Sequence, residues 1–200
     1  LLVQLMPIDT LTITPTAVLG DPNIAPLANL LITSVPSPLG GGNHNLEIIR
    51  DLSYPVPGTN DGFAQYDTFD GFAPSGPDYF GYRWPNRYHF TGAKFVDGMH
   101  FFDGGYFTAP PTIEVSDDGV TWTAVATVTG YQGNAAPNFT AYPLTFTADG
   151  RYLRIIGTPA GGAEFTSIAE LEVYGTVLAT APNVNVTVDA TPGNPTEGGT

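Results

Sequence analysis

Thr112-Ile113-Glu114-Val115-Ser116-Asp117-Asp118-Gly119-Val120-Thr121-Trp122-Thr123 is the stretch that decides the fold class. Ile113 and Val115 stand two apart, so in an extended chain both face one side. Asp117-Asp118-Gly119 supplies a tight turn in which glycine tolerates positive φ, and Trp122 then resumes the inward face. The stretch predicts a β-hairpin. Further along, Arg151-Tyr152-Leu153-Arg154-Ile155-Ile156 follows another Asp-Gly pair, Asp149-Gly150, which reads as a second turn. Ser167-Ile168-Ala169-Glu170-Leu171-Glu172-Val173-Tyr174-Gly175 is a near-continuous apolar run with charges at intervals. Both are patterned as interior strands of two packed sheets. Segments near 24–33, 79–84, 88–96, 121–128 and 142–147 share the β-branched and aromatic bias of strands. Together these make eight short strands and predict an all-β, antiparallel sandwich, with single helical turns at most.

Composition agrees with that class. The 200 residues hold 24 Gly and 19 Pro, which favour turns over helices, while 42% apolar content is enough for a core. Six Lys+Arg against 19 Asp+Glu leave a formal charge of -13, which repels phosphate backbones and argues against nucleic acid as a partner. The absence of Cys removes disulfides, thiolate metal sites and thiol nucleophiles together. No apolar run reaches the length of a membrane span. Residues 1–22, with the alternation Leu11-Thr12-Ile13-Thr14, read as a leader or the end of a preceding module. Residues 177–200 read as a linker or the first strand of a following one, because Val184, Val186 and Val188 alternate before Pro192, Gly193 and Pro195.

The SDDG-x-x-W hairpin, the RYLRI strand and the closing S-I-A-E-L-E-V-Y-G strand, in that order, resemble the coagulation-factor type C or discoidin-like domain family, which includes the family 32 carbohydrate-binding modules. Asn23-Ile24-Ala25-Pro26-Leu27-Ala28 is similar to that family's opening phrase, so the resemblance covers residues 23–176. It implies an eight-stranded jelly roll of the galactose-binding-domain type that binds ligands with loops at one end. It also implies a structural Ca2+ between an early loop and the last strand. Ile48-Ile49-Arg50-Asp51 matches the loop phrase and Ala169-Glu170 the strand phrase, so Asp51 and Glu170 would be side-chain ligands and Ala169 a carbonyl ligand. The sequence departs from the family at Leu52, where Gly is usual, and residues 52–62 read as an insertion.

Two stretches carry candidate binding residues. Between Ser53 and Trp84, aromatic residues alternate with Asp61, Asp67, Asp70 and Asp78. Sugar rings offer apolar C–H faces to aromatic side chains and hydroxyls to carboxylates, so Tyr66 and Phe69 are candidate contacts. Most of the other rings there are expected to form a local core, with Phe80, Tyr82 and Trp84 alternating along a strand. The second stretch, Asp97 to Phe107, is a glycine-rich loop in which His100, Phe102, Asp103 and Tyr106 could line half a cleft. The competing reading is a local fold with His100 capping a turn. Arg83 is a rare cation suited to holding a ligand, although internal pairing with Asp is more usual for such residues. No nucleophile elbow, His-Glu-x-x-His or phosphate loop is present.

The expectation is a non-catalytic carbohydrate-binding module that binds a polysaccharide or oligosaccharide. It would be a monomer, with no membrane partner and with flanking modules in the same chain. The parent would be a secreted or cell-surface bacterial protein such as a polysaccharide-degrading enzyme. The alternative is an adhesion or spacer module.

Overall fold

A computed structural model of the protein describes residues 20–40, 42–71 and 76–179. The alternations at 11–14 and 184–188, and Phe72, lie outside these. The described residues form seven strands: β1 Leu30–Thr33, β2 Tyr66–Asp67, β3 Asp78–Asp97, β4 Thr112–Ser116, β5 Thr123–Thr127, β6 Ala141–Gly157 and β7 Ser167–Val177. Three short 3-10 turns are the only helical elements among them. All strand ladders are antiparallel, and β3 and β6 pair along nearly their whole length.

The two long strands bend and take part in both layers of a sandwich. One layer has the order β1, first half of β3, second half of β6, β4, β5. The other has β2, β7, second half of β3, first half of β6. The eight predicted segments are therefore found in six strands, since 79–84 and 88–96 are halves of β3 and 142–147 and 151–156 are halves of β6. Asp149-Gly150 is not a turn: Gly150 pairs with Tyr88 and Asp149 with His89, inside the ladder. The register shift between Arg83 and Tyr88 marks where both strands bend together around Pro85. Pro26 starts a 3-10 turn at Ala25–Leu27, so the first segment is extended only at Leu30–Thr33.

The hairpin of β4 and β5 forms as the sequence predicts, with Gly119 at φ 75°. Ser116 Oγ accepts the Gly119 N–H at 2.9 Å, and Asp118 Oδ1 accepts those of Val120 and Thr121, each at 2.8 Å. These bonds favour the ionised form and hold the Asp118 carboxyl down to about 2. Trp122 differs from its predicted inward placement. It is half-buried beside Tyr152 and beneath the Arg154 guanidinium, 4.0 Å from the ring centroid. Tyr152 and Arg154 alternate with buried Leu153 and Ile155, so this cluster lies on the outer face of the sheet.

Between the layers, Phe80, Tyr82 and Trp84 are fully buried with Phe90, Phe95, Leu153, Ile155, Leu171 and Val173. The polar tips of Trp84 and Tyr82 each have a partner. Trp84 Nε1 donates to Ile24 O at 2.7 Å, and the Tyr82 hydroxyl lies 2.9 Å from both Ile49 O and Leu171 O. Asn23 Oδ1 accepts the N–H groups of Ala25 and Val173, tying the opening phrase to β7.

Candidate functional site

At one end of the sandwich the loops around β2, the loop after β3 and the residues just before β7 enclose a cleft of about 300 Å³. Its wall is aromatic. Phe165 packs edge-on against Phe69 at 5.5 Å between centroids and tilts against Phe101 at 5.6 Å. Phe63, which is 68% exposed, stands at the rim.

Two carboxylates line the same cleft, Asp67 and Asp103. Asp67 is buried; its Oδ1 accepts the Phe69 N–H at 3.2 Å, and its carboxyl packs against the glycine loop before β2. A Cβ on Gly40 would sit 3.1 Å from Asp67 Oδ1, and one on Gly42 would sit 3.1 Å from Oδ2. The floor therefore depends on residues without side chains. Burial pushes the Asp67 carboxyl upward, opposed by the Phe69 hydrogen bond and by nearby His44. Asp103 sits in a tight turn closed by Phe101 N–H donating to Gly104 O at 2.8 Å. Its own carbonyl accepts the Ala163 N–H at 2.8 Å, which anchors the turn to the segment before Phe165.

The structure therefore brings Phe69 and Asp103 together, leaves Phe102 beside them but outside the lining, and places the other predicted contacts elsewhere. Tyr66 is 1% exposed, with its hydroxyl donating to Val35 O at 2.6 Å, so it is a core residue. Arg83 lies on the outer sheet face with its guanidinium 5.8 Å from the Tyr152 ring centroid. Arg87, as expected of such cations, is paired internally with Asp117 at 2.7 Å. The His100 side chain is 4% exposed and its Nε2 lies 3.2 Å from Asp97 Oδ2, so the local-fold reading of His100 is the one that forms. Tyr106 packs on His100 and lines a second hollow of about 320 Å³ with Tyr131, Gln132 and Asn134. Phe102, between two cleft residues, is 97% exposed. Sequence reading singled out neither Asp67, Phe101 nor Phe165 as a contact. Asp67 stood in the acidic, aromatic stretch, but Phe165 had no local signal.

The predicted metal residues lie elsewhere, between the turn at Leu46–Arg50 and β7. Glu170 in β7 is fully buried; its Oε2 accepts the Leu52 N–H at 3.0 Å and its Oε1 has no partner among the described residues. Burial, with the added repulsion of Asp51 and Glu172, pushes the Glu170 carboxyl up to about 8. A buried carboxylate oxygen without a partner beside a second carboxylate is the environment that a hard cation relieves. Asp51 closes the 3-10 turn Leu46–Arg50, with its Oδ1 accepting the Ser53 N–H at 2.8 Å, and Ala169 is buried next to Glu170. No group of three or more His, Asp or Glu gathers among the described residues, so backbone carbonyls would have to complete the shell. Leu52 has φ 65°, the left-handed conformation that glycine adopts without strain. Leu52→Gly is accordingly expected to stabilise the fold by about 1 kcal/mol, read from urea unfolding. A destabilisation would show that the exposed Leu52 side chain contributes more than its strained backbone costs.

A two-layer antiparallel jelly roll with bent shared strands and a loop cleft at one end is the discoidin-like fold, which solved family 32 carbohydrate-binding modules share. No protein-family model matches the chain, and no curated protein matches it by sequence. Among solved structures, it resembles a family 32 module of Clostridium perfringens in complex with GalNAc-β-1,3-galactose, with 14% identity, TM-score 0.52, and 72% of this chain and 94% of that one covered. A chitosan-binding module of a Paenibacillus sp. chitosanase/glucanase matches with 21% identity, TM-score 0.51 and coverage of 76% and 98%. A fucolectin from striped bass (Morone saxatilis) serum matches with 15% identity and TM-score 0.57, over 78% of this chain and 49% of that one. Among the described residues no helix is long and apolar enough to cross a membrane.

Proposed function

We propose that this domain is a non-catalytic carbohydrate-binding module. It would act as a monomer within a secreted, multimodular bacterial protein such as a polysaccharide-degrading enzyme, with a structural calcium held by Asp51, Glu170 and neighbouring carbonyls. The observation that carries this reading is the cleft, in which four phenylalanine side chains line the same space as two carboxylates. Rings of this kind cover the C–H face of a pyranose, and the carboxylates accept its hydroxyl protons. The solved structures of the same fold, described as sugar-binding modules and a lectin, support the ligand class.

Affinity gel electrophoresis against soluble plant, algal and microbial polysaccharides, with calcium or chelator in the gel, tests the reading. At least one polymer is expected to retard the protein. Phe69→Ala is expected to weaken that binding about tenfold by removing one stacking face. If retardation survives unchanged in both Phe69→Ala and Phe101→Ala, the cleft is not the site. A second reading, adhesion to a protein or a cell-surface polymer, is favoured by the exposed Phe102, Phe63 and Val56 side chains. It becomes the better account if no polysaccharide retards the protein.

A further inference from the structure

We infer that the hollow walled by Tyr106 and Tyr131 is a second sugar-binding site, which takes an uncharged pyranose unit while another unit of the same chain occupies the cleft. This rests on the reading of the domain as a carbohydrate-binding module and adds a site to it.

The walls of the hollow, which encloses about 320 Å³, are fixed by packing. Tyr131 packs on Tyr142 at 5.4 Å between centroids and on Phe95 and Phe107 at 6.4 Å each, and its hydroxyl oxygen accepts the Phe107 N–H at 2.8 Å. Tyr106 is half-buried against the His100 ring at 5.6 Å, and its carbonyl accepts the Ala160 N–H at 2.9 Å. The 3-10 turn Gly133–Ala135 lines the same space. Gly133 has φ 54°, and a Cβ there would stand 3.3 Å from Phe107 O, so the turn comes this close only without a side chain.

The hollow differs from the cleft in charge. None of its ten lining residues is charged, in a chain with 19 Asp+Glu. An ion would lose hydration there without a counter-charge, and an anion would also meet the field of a chain with formal charge -13. The polar groups present both donate and accept. The Gln132 and Asn134 amides and the Tyr106 hydroxyl make no hydrogen bond among the described residues, and the Tyr131 hydroxyl has its own proton to donate. A sugar hydroxyl has the same dual character, and tyrosine rings suit the C–H face of a pyranose. The cleft is next door. Gly105 N–H donates to Phe165 O at 2.8 Å, so the strip between the two is pinned to a cleft wall. Asp103 in the cleft and Tyr106 in the hollow are three residues apart, which sets their Cα atoms within about 11 Å of each other. One oligosaccharide can therefore reach both, and its second contact forms at the high effective concentration of a tethered ligand.

Calorimetric titration of the whole chain tests the inference, with β-1,4-galactan, mannan and xylan oligosaccharides from the single sugar upward as probes. For at least one series the affinity is expected to rise at least about tenfold once the oligomer spans both sites, and to change little between about 20 and about 300 mM salt. The Gln132→Ala, Asn134→Ala double variant alters exposed side chains without internal bonds, so it should melt with wild type. It is expected to flatten that rise and leave binding of the single sugar unchanged. Tyr106→Ala is expected to do the same, while Phe69→Ala weakens binding at every length. Affinity that does not depend on length, or a rise that survives in both hollow variants, overturns the second site and leaves the cleft in place. Failure of every neutral oligomer to bind also overturns it, and if no polysaccharide retards the protein either, the reading of the cleft as a sugar site falls with it.

Discussion

Calcium at saturation is expected to raise the melting temperature well above its value in chelator, and Glu170→Gln is expected to abolish the difference. A ligand present at a thousandfold excess over its Kd contributes about 4 kcal/mol to the folded state. For a domain of this size that corresponds to a shift on the order of 10 °C. The substitution makes a crossed prediction because of how Glu170 sits. It is fully buried, one oxygen serves the Leu52 N–H, and the other has no partner among the described residues. Without metal, the wild-type chain carries a poorly compensated buried carboxyl, so neutral Gln should melt no lower than Glu in chelator and well below it in calcium. Identical wild-type melting in calcium and chelator would remove the metal from the account.

Gly161→Ala is expected to destabilise the fold by about 2–4 kcal/mol and to weaken sugar binding with it. Gly161 has φ 83°, and a Cβ there would stand 2.2 Å from Asp103 O and 2.4 Å from Asp103 C. Left-handed strain and the clash add, and the chain can relieve them only by moving the turn that presents Asp103. The adjacent glycine is the control. A Cβ on Gly162 would meet nothing within 4 Å, and its backbone is not left-handed, so Gly162→Ala should fall within about 0.5 kcal/mol of wild type. If the two variants melt together, the contact between Gly161 and Asp103 does not shape the cleft.

The sheet was legible because period-2 alternation reports which face is buried. Ile113 and Val115, or Leu153 and Ile155, state their side without any knowledge of the partner strand. The bends were not legible, because Asp149-Gly150 has the composition of a turn whether the chain reverses there or runs on beside Tyr88. Whether it reverses is set by the neighbouring strand, which lies 60 residues away for the His89 and Asp149 pair. The site divided in the same way. Phe69 and Asp103 were readable as aromatic and acidic residues in glycine-rich loops. Tyr66 and His100 had the same chemistry but turned inward, where Val35 O and Asp97 supply their partners. Phe165, against which both Phe69 and Phe101 pack, lies some 60 to 100 residues from them. No local pattern reports a contact of that range. Leu52 is the opposite case: its departure from glycine was visible in the sequence, and the left-handed backbone persists there at the cost of strain.

The path of the chain at β7 has a mechanical consequence. Where the chain comes into the sandwich, Gly175 N–H donates to Pro22 O at 3.3 Å, and where it goes out, Leu178 N–H donates to Arg87 O at 2.9 Å, so both paths meet at the same end of β7. The cleft lies beyond the other end, next to Phe165 and Ser167, an 11-residue strand away, roughly 35 Å. Tension applied between Asp21 and Leu178 therefore loads the few bonds around Pro22, Asn23 and Val173 first. The cleft sits on the unloaded side, so its walls keep their shape under a pull that already strains the opposite end of β7.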